Sequence, residues 1–296
     1  MFIHKYNLTL AKEERLINGL PENCGNRPEL REPSTYPLRQ KIEAVKNSWP
    51  WQVGVYASTI GPYPFCGGTL ISPTWVLTAA HCITGALRCK EIALGRPFSF
   101  DEFVEDEMVV RIGDHNRTRR GRPAFNLRVK HIIMHPQYEI EKIWKGFDFA
   151  LLKLNHEVKR SKVAEFACLA ASGLEIGVGK FCYFAGWGLI PNPPNPPNPN
   201  QPEVLMEVRG PIAKMSDCQK RHRLANKRKH VCIDGKYGAA CTGDSGGGLH
   251  CLTEDGKWVV YGVASYTGKN CSGEFTVFAL TPPVLGWIQQ NVVAHN

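Results

Sequence analysis

A chain of 296 residues, 43% hydrophobic and 21% charged, is long enough to bury a large core, as one domain or as two closely packed halves. No run of 18 or more apolar residues occurs, which excludes a membrane-spanning helix, and the net charge of +9 comes without the interleaved aromatic residues of a nucleic-acid surface. Eleven cysteines without CxxC pairs or a His-rich tract point to disulfides and an oxidising compartment instead of zinc.

Near the start, Glu13, Glu14 and Arg15 interrupt any apolar stretch before it reaches the length of a secretory signal, so a leader is expected to be absent from this chain. Beyond it, short runs rich in Val, Ile, Leu, Phe and Tyr recur between Gly, Pro and Asn clusters, at 51–56, 108–112, 130–134, 181–185 and 258–264. That pattern predicts an all-β sandwich or barrel. The Pro- and Asn-rich stretch 191–202 forbids strand pairing and reads as an extended spacer or a docking motif. Only 282–293 carries apolar residues at helical spacing (Val284, Leu285, Trp287, Ile288, Val292), with prolines at its start, and predicts a C-terminal helix. Glycosylation sequons begin at Asn7 and Asn116, with a poorer one at Asn270.

Residues 241–249 read CTGDSGGGL, a serine embedded in glycines behind an aspartate and a cysteine. A serine hydroxyl is a weak nucleophile at neutral pH, so it needs a histidine base and a third group to orient that base. His81 in TAAHC and Asp148 in DFALL supply both types. A single glycine-flanked serine could be a turn and a single histidine a core residue or a metal ligand. Three such motifs in the order His, Asp, Ser point together to acyl transfer.

These segments, with the opening Ser48-Trp49-Pro50-Trp51-Gln52 and Gly186-Trp187-Gly188, resemble the chymotrypsin-like serine peptidases over residues 38–296. The resemblance implies an all-β fold of two packed six-stranded antiparallel β-barrels, at roughly 38–157 and 158–296, with a C-terminal helix and a propeptide-like extension over 1–37. The roles of the family's triad are inherited with it: His81 as general base and then acid, Asp148 as the group that fixes its tautomer, and Ser245 as nucleophile. The backbone amides of Gly243 and Ser245 would form the oxyanion hole. The implied disulfides are Cys24–Cys168, Cys66–Cys82, Cys182–Cys251, Cys218–Cys232 and Cys241–Cys271. Cys89 is then left over, as a free thiol, an intermolecular partner, or a sign that the pairing differs.

In this family, cleavage before a small apolar residue frees an amine that pairs with the aspartate preceding the nucleophile, here Asp244. The register of that terminus falls on Leu38, outside the usual basic-Ile-Val-Gly-Gly pattern. Cleavage after Lys41 would expose Ile42, but four residues short, about 13 Å of extended chain. Arg15-Leu16 lies much too early. Cleavage after Pro37, a rearranged segment and a product that is never activated all remain open. The competing function is accordingly a catalytically silent relative that binds proteins or polyanions.

The resemblance places Ala239 at the base of the primary specificity pocket and Thr267 and Thr276 on its walls, with Ser265 and Gly268 offering backbone hydrogen bonds to an extended substrate. Without an aspartate at the base, the pocket cannot offset the desolvation of a substrate Lys or Arg. An elastase-like preference for small or medium aliphatic residues follows. Two basic clusters, Arg117, Arg119, Arg120, Arg122 and Lys220, Arg221, Arg223, Lys227, Arg228, Lys229, are either a surface for heparin-like polyanions or a solvated face. No cofactor or metal is implied, and arginines follow Asp114 where some relatives hold calcium. The expected partners are polypeptide substrates and protein inhibitors, not nucleic acid, and the protein is expected to be a secreted monomer.

Overall fold

The computed structural model describes residues 14–28, 31, 41–88, 90–119, 123–190, 201–268, 271 and 275–296. Leu38, Cys89, Arg120, Arg122, the sequons at Asn7 and Asn270, and the Pro-rich stretch 191–200 lie outside the described residues.

The described chain begins with a hairpin of β1 (Leu16–Ile17) and β2 (Leu20–Pro21), turned by Asn18 and Gly19 at φ 51° and 75°, the left-handed pair that a tight two-residue turn requires. Its turn lies against Val292 near the C-terminus. This leading segment is bonded to the body. Cys24 is joined to Cys168, Gly25 exchanges backbone hydrogen bonds with Phe166 and Trp258, and the Arg27 guanidinium lies 3.6 Å above the Trp49 ring. Arg27 also pairs with Glu207 at 3.4 Å, with both side chains buried, and Glu207 further accepts from Trp49 Nε1 and Arg31 Nε. Next, β3 (Ile42–Glu43) runs to the second half of the molecule.

The first half is a closed barrel of β4 (Gln52–Ala57), β5 (Cys66–Ser72), β6 (Trp75–Thr78), β7 (Met108–Ile112), β8 (Phe125–Met134) and β9 (Ala150–Leu154), in the order β4-β5-β6-β9-β8-β7. Strands β5 and β6 are buried along their whole length, whereas β7 alternates in the period-2 manner of a strand with one face in the core. Trp51, Trp75, Leu70 and Ile112 are among the fully buried side chains that fill it.

The second half contains β10 (Cys168–Leu169), β11 (Phe181–Gly186), β12 (Met206–Pro211), β13 (His230–Asp234), β14 (Gly248–Leu252), β15 (Trp258–Thr267) and β16 (Phe275–Leu280). This second half of the expected two-barrel arrangement is the more open one. The strands form one curled eight-stranded sheet, ordered β13-β16-β15-β14-β11-β12-β3 with β10 beside β15. Its two flanks meet at a single bridge, Ile212 to Ile233, immediately after Pro211. Proline has no amide to donate, so a continuous ladder cannot form there.

Short helices α1 (Ala80–Ala86) and α2 (Met215–Cys218) interrupt the sheets, and α3 (Leu285–Ala294) ends the chain. The expected helix 282–293 is thus split. Its first three residues, Pro282–Val284, form a 3-10 turn with proline at the first positions, and the α-helix starts after them. Among the described residues no helix is long and apolar enough to cross a membrane.

Candidate active site

Strand pairing brings His81 and Asp148 together. Thr78, the last residue of β6, stands opposite Ala150, the first of β9, so the residues just beyond both ends emerge side by side. His81 follows β6 on the first turn of α1, and its neighbour Cys82 is bonded to Cys66 on β5. Asp148 precedes β9 and is fully buried.

Three donors converge on the Asp148 carboxylate. Its Oδ1 accepts from the His81 amide at 2.8 Å, and its Oδ2 accepts from His81 Nδ1 at 2.7 Å and from Ser265 Oγ at 2.5 Å. Burial opposes ionisation of Asp148, but the charge of His81 and these hydrogen bonds outweigh it and hold the carboxyl below the usual range. The same balance acts on the ring. Burial alone would lower the basicity of His81, yet Asp148 beside it raises it above the ordinary histidine value. With Nδ1 facing a carboxylate, the neutral ring carries its proton on that nitrogen and leaves Nε2 able to accept one.

Ser245 sits on a turn held between the two halves. Its carbonyl accepts from the Gly67 amide on β5 at 2.8 Å, while Gly246 donates to Ala264 and Ala264 donates to Gly247. Gly67 adjoins Cys66, whose disulfide holds Cys82 next to His81, so the Ser245 and His81 backbones are anchored at neighbouring points of β5. Among the described residues no hydrogen bond joins Ser245 Oγ to His81. Within the same turn the Gly243 and Ser245 amides donate to no acceptor among the described residues, while the Asp244, Gly246 and Gly247 amides are all paired.

The Asp244 carboxylate is buried and points away from that turn into the 186–188 segment. Its Oδ1 accepts from the Gly188 amide at 2.9 Å, and its Oδ2 accepts from the Cys241 amide at 2.9 Å and from Lys41 Nζ at 2.6 Å. Lys41 Nζ also donates to the Gly188 carbonyl at 2.9 Å.

The residues expected around the specificity pocket are contiguous. The Ala240 amide, next to buried Ala239, donates to Thr276 Oγ1 at 3.1 Å, and Thr276 pairs with Thr267 across β15 and β16. Thr267 Oγ1 donates to the Phe275 carbonyl, and Cys241–Cys271 closes this region. The other expected cysteine pairs, Cys24–Cys168, Cys66–Cys82, Cys182–Cys251 and Cys218–Cys232, are bonded as well. Cys66, Cys82 and His81 gather within 4.8 Å, but both sulfurs are consumed in the disulfide and cannot act as thiolate ligands.

The basic clusters are partly engaged within the protein. Arg117 lies over the Tyr63 ring and donates to the Gln201 and Pro202 carbonyls, Lys220 pairs with Asp217, and Lys229 Nζ donates to the Lys145 carbonyl. Sequence reasoning missed the Ser265 hydroxyl, for which only backbone contacts were expected, and missed Lys41. Lys41 stands 203 positions before Asp244, and no local motif marks that pairing.

A family model described as Trypsin matches residues 39–288. Chymotrypsin-like elastase family member 3B from Homo sapiens is 32% identical over 274 residues, covering 89% of this chain and 93% of that protein. Chymotrypsin-like elastase family member 1 from Felis catus is 31% identical over 261 residues, covering 86% of this chain and 88% of that protein.

Proposed function

We propose, from the premise that this chain belongs to the trypsin family of chymotrypsin-like peptidases and is a serine endopeptidase, that its catalytic triad is Ser245, His81 and Asp148. The observation that carries this reading is the buried Asp148, bound at once to the His81 amide, His81 Nδ1 and Ser265 Oγ. As Ser245 Oγ bonds to the peptide carbonyl carbon, its proton passes to His81 Nε2 and the carbonyl π electrons move to oxygen. The Gly243 and Ser245 amides, which have no acceptor among the described residues, receive that oxyanion, each donor lowering the barrier by about 3–4 kcal/mol. Collapse breaks the C–N bond, and His81 returns the proton to the departing amine. Water then repeats the sequence on the acyl-enzyme and frees Ser245. Asp148 stays ionised throughout and stabilises the imidazolium.

Cleavage follows small or medium aliphatic residues, because Ala239 offers no charge to a basic side chain and Thr267 and Thr276 carry branched side chains at the wall positions. Relatives named elastases support the same preference. Five disulfides suit an oxidising, extracellular setting, with residues 1–37 as the extension and 38–296 as the peptidase domain. Protein inhibitors and heparin-like polyanions are the further partners of this reading. A silent binding protein is not favoured. A peptide library digested by the purified protein tests specificity: dominant cleavage after Ala, Val or Leu is expected, and dominant cleavage after Lys or Arg refutes the pocket assignment.

A further inference from the structure

Asp244 already has a cationic partner in this uncut chain. Lys41 Nζ and the Asp244 carboxylate meet at 2.6 Å with both side chains 1% exposed, and the ammonium also binds the Gly188 carbonyl. We propose that the Lys41 ammonium takes the place of the amine that cleavage liberates in relatives, so that the intact chain holds its oxyanion turn ready and is competent without proteolytic activation. This rests on the Ser245 reading given above and adds its regulation.

Three features support Lys41 as the positioning residue. First, its backbone is held where it is needed. Lys41 leads directly into β3, where Ile42 and Glu43 pair with Glu207 and Met206, and Ala44 donates to the Leu205 carbonyl. Second, the receiving pocket is built for a close approach. A Cβ at Gly186 would fall 2.2 Å from Asp244 Oδ1, and one at Gly188 would fall 2.4 Å from its Cγ, so bare backbone makes the space. Third, the Asp244 charge is out of reach of solvent, with its side chain 1% exposed. A buried carboxylate with two amide donors still needs a cation, and Lys41 supplies it.

The link to the oxyanion turn is short. Asp244 Oδ2 accepts from the Cys241 amide, and the Asp244 amide donates to the Cys241 carbonyl at 2.9 Å, so this closed pair brackets Thr242 and Gly243. Fixing the Asp244 side chain therefore fixes the direction of the Gly243 amide. An Ile42 terminus is unsuited to this task, because β3 holds Ile42 in the ladder opposite Glu207.

The full chain is reacted with a serine-directed fluorophosphonate, followed by intact-mass measurement and peptide mapping. The expected result is an adduct at Ser245 on the uncut chain and, for Lys41→Met, a labelling rate lowered by about 100-fold, the scale of losing one oxyanion donor. The variant's kcat should fall much more than its KM changes. In Lys41→Ala, added n-propylammonium should restore part of the labelling, a response that a merely structural role would not give. Labelling of the native chain only after limited proteolysis, or a Lys41→Met rate equal to that of the unmutated protein, overturns the proposal. No labelling in either state overturns the Ser245 reading beneath it. Should Lys41→Met fail to fold, the unmutated chain still decides: adduct on uncut protein supports single-chain competence, and adduct on cut chains alone refutes it.

Discussion

Replacing Ser265 with alanine removes one of the three donors on Asp148 and nothing else from the carboxylate's surroundings. The hydroxyl binds Oδ2 at 2.5 Å, and Asp148 is fully buried, so no solvent can take its place without entering the core. A hydrogen bond to a charged group contributes about 1.5–3 kcal/mol, which in a domain of this size corresponds to a melting temperature lower by roughly 3–10 °C. The His81 amide and Nδ1 remain to hold Asp148. Catalysis should therefore fall without vanishing: kcat on the order of tenfold lower and KM within about twofold, as expected for a group that acts on orientation and not on substrate binding. Calorimetry and steady-state hydrolysis of an aliphatic peptide ester measure both. A Ser265→Ala protein that melts and turns over like the native one would show that the third donor has no part in holding the site.

Other perturbations have equally definite outcomes. Because Asp148 holds the His81 pKa above 6.5, activity should fall on acidification with a midpoint above that value, and a kcat/KM profile with an acid limb below pH 6 would contradict the pair. Buried His250 packs against both the Trp49 and Trp51 rings, and burial, with the nearby charge of Arg27, lowers its pKa to about 3. It stays neutral in the fold while the unfolded chain takes up a proton below about pH 6.5, so stability is lost as pH falls through that window. The loss amounts to about 2 kcal/mol between pH 7 and pH 5. His250→Phe should reduce the shift in urea stability over that interval by this amount, and an unchanged shift would refute the assignment. Arg27→Leu removes one of the cations paired with buried Glu207, and should lower stability by about 3–5 kcal/mol. A change below about 1 kcal/mol in denaturant melts would mean that the leading segment is not anchored through this pair.

Much of this arrangement was legible in the chain because strands and catalytic motifs are local. The short apolar run at 108–112 marked β7 to the residue, and the segments around His81, Asp148 and Ser245 each carry their own signature. Boundaries were less legible. Strand β8 begins five residues before the apolar run at 130–134, since its early residues face solvent and are chosen for pairing and not for burial. The place where the flanks of the second sheet touch, Ile212 opposite Ile233, is a contact that no local pattern marks. The same holds for Ser265 and Asp148, separated by 117 positions, and for Lys41 and Asp244. Hydrogen bonds made only in the folded state leave no periodicity to read.

The most direct measurement is site-resolved labelling of the purified protein by a fluorophosphonate, with His81→Ala beside it. An adduct on Ser245 in the native protein, slowed by orders of magnitude in His81→Ala, is the expected result. Equal labelling of Ser245 with and without His81, or an adduct on another serine, would contradict nucleophilic catalysis by this pair.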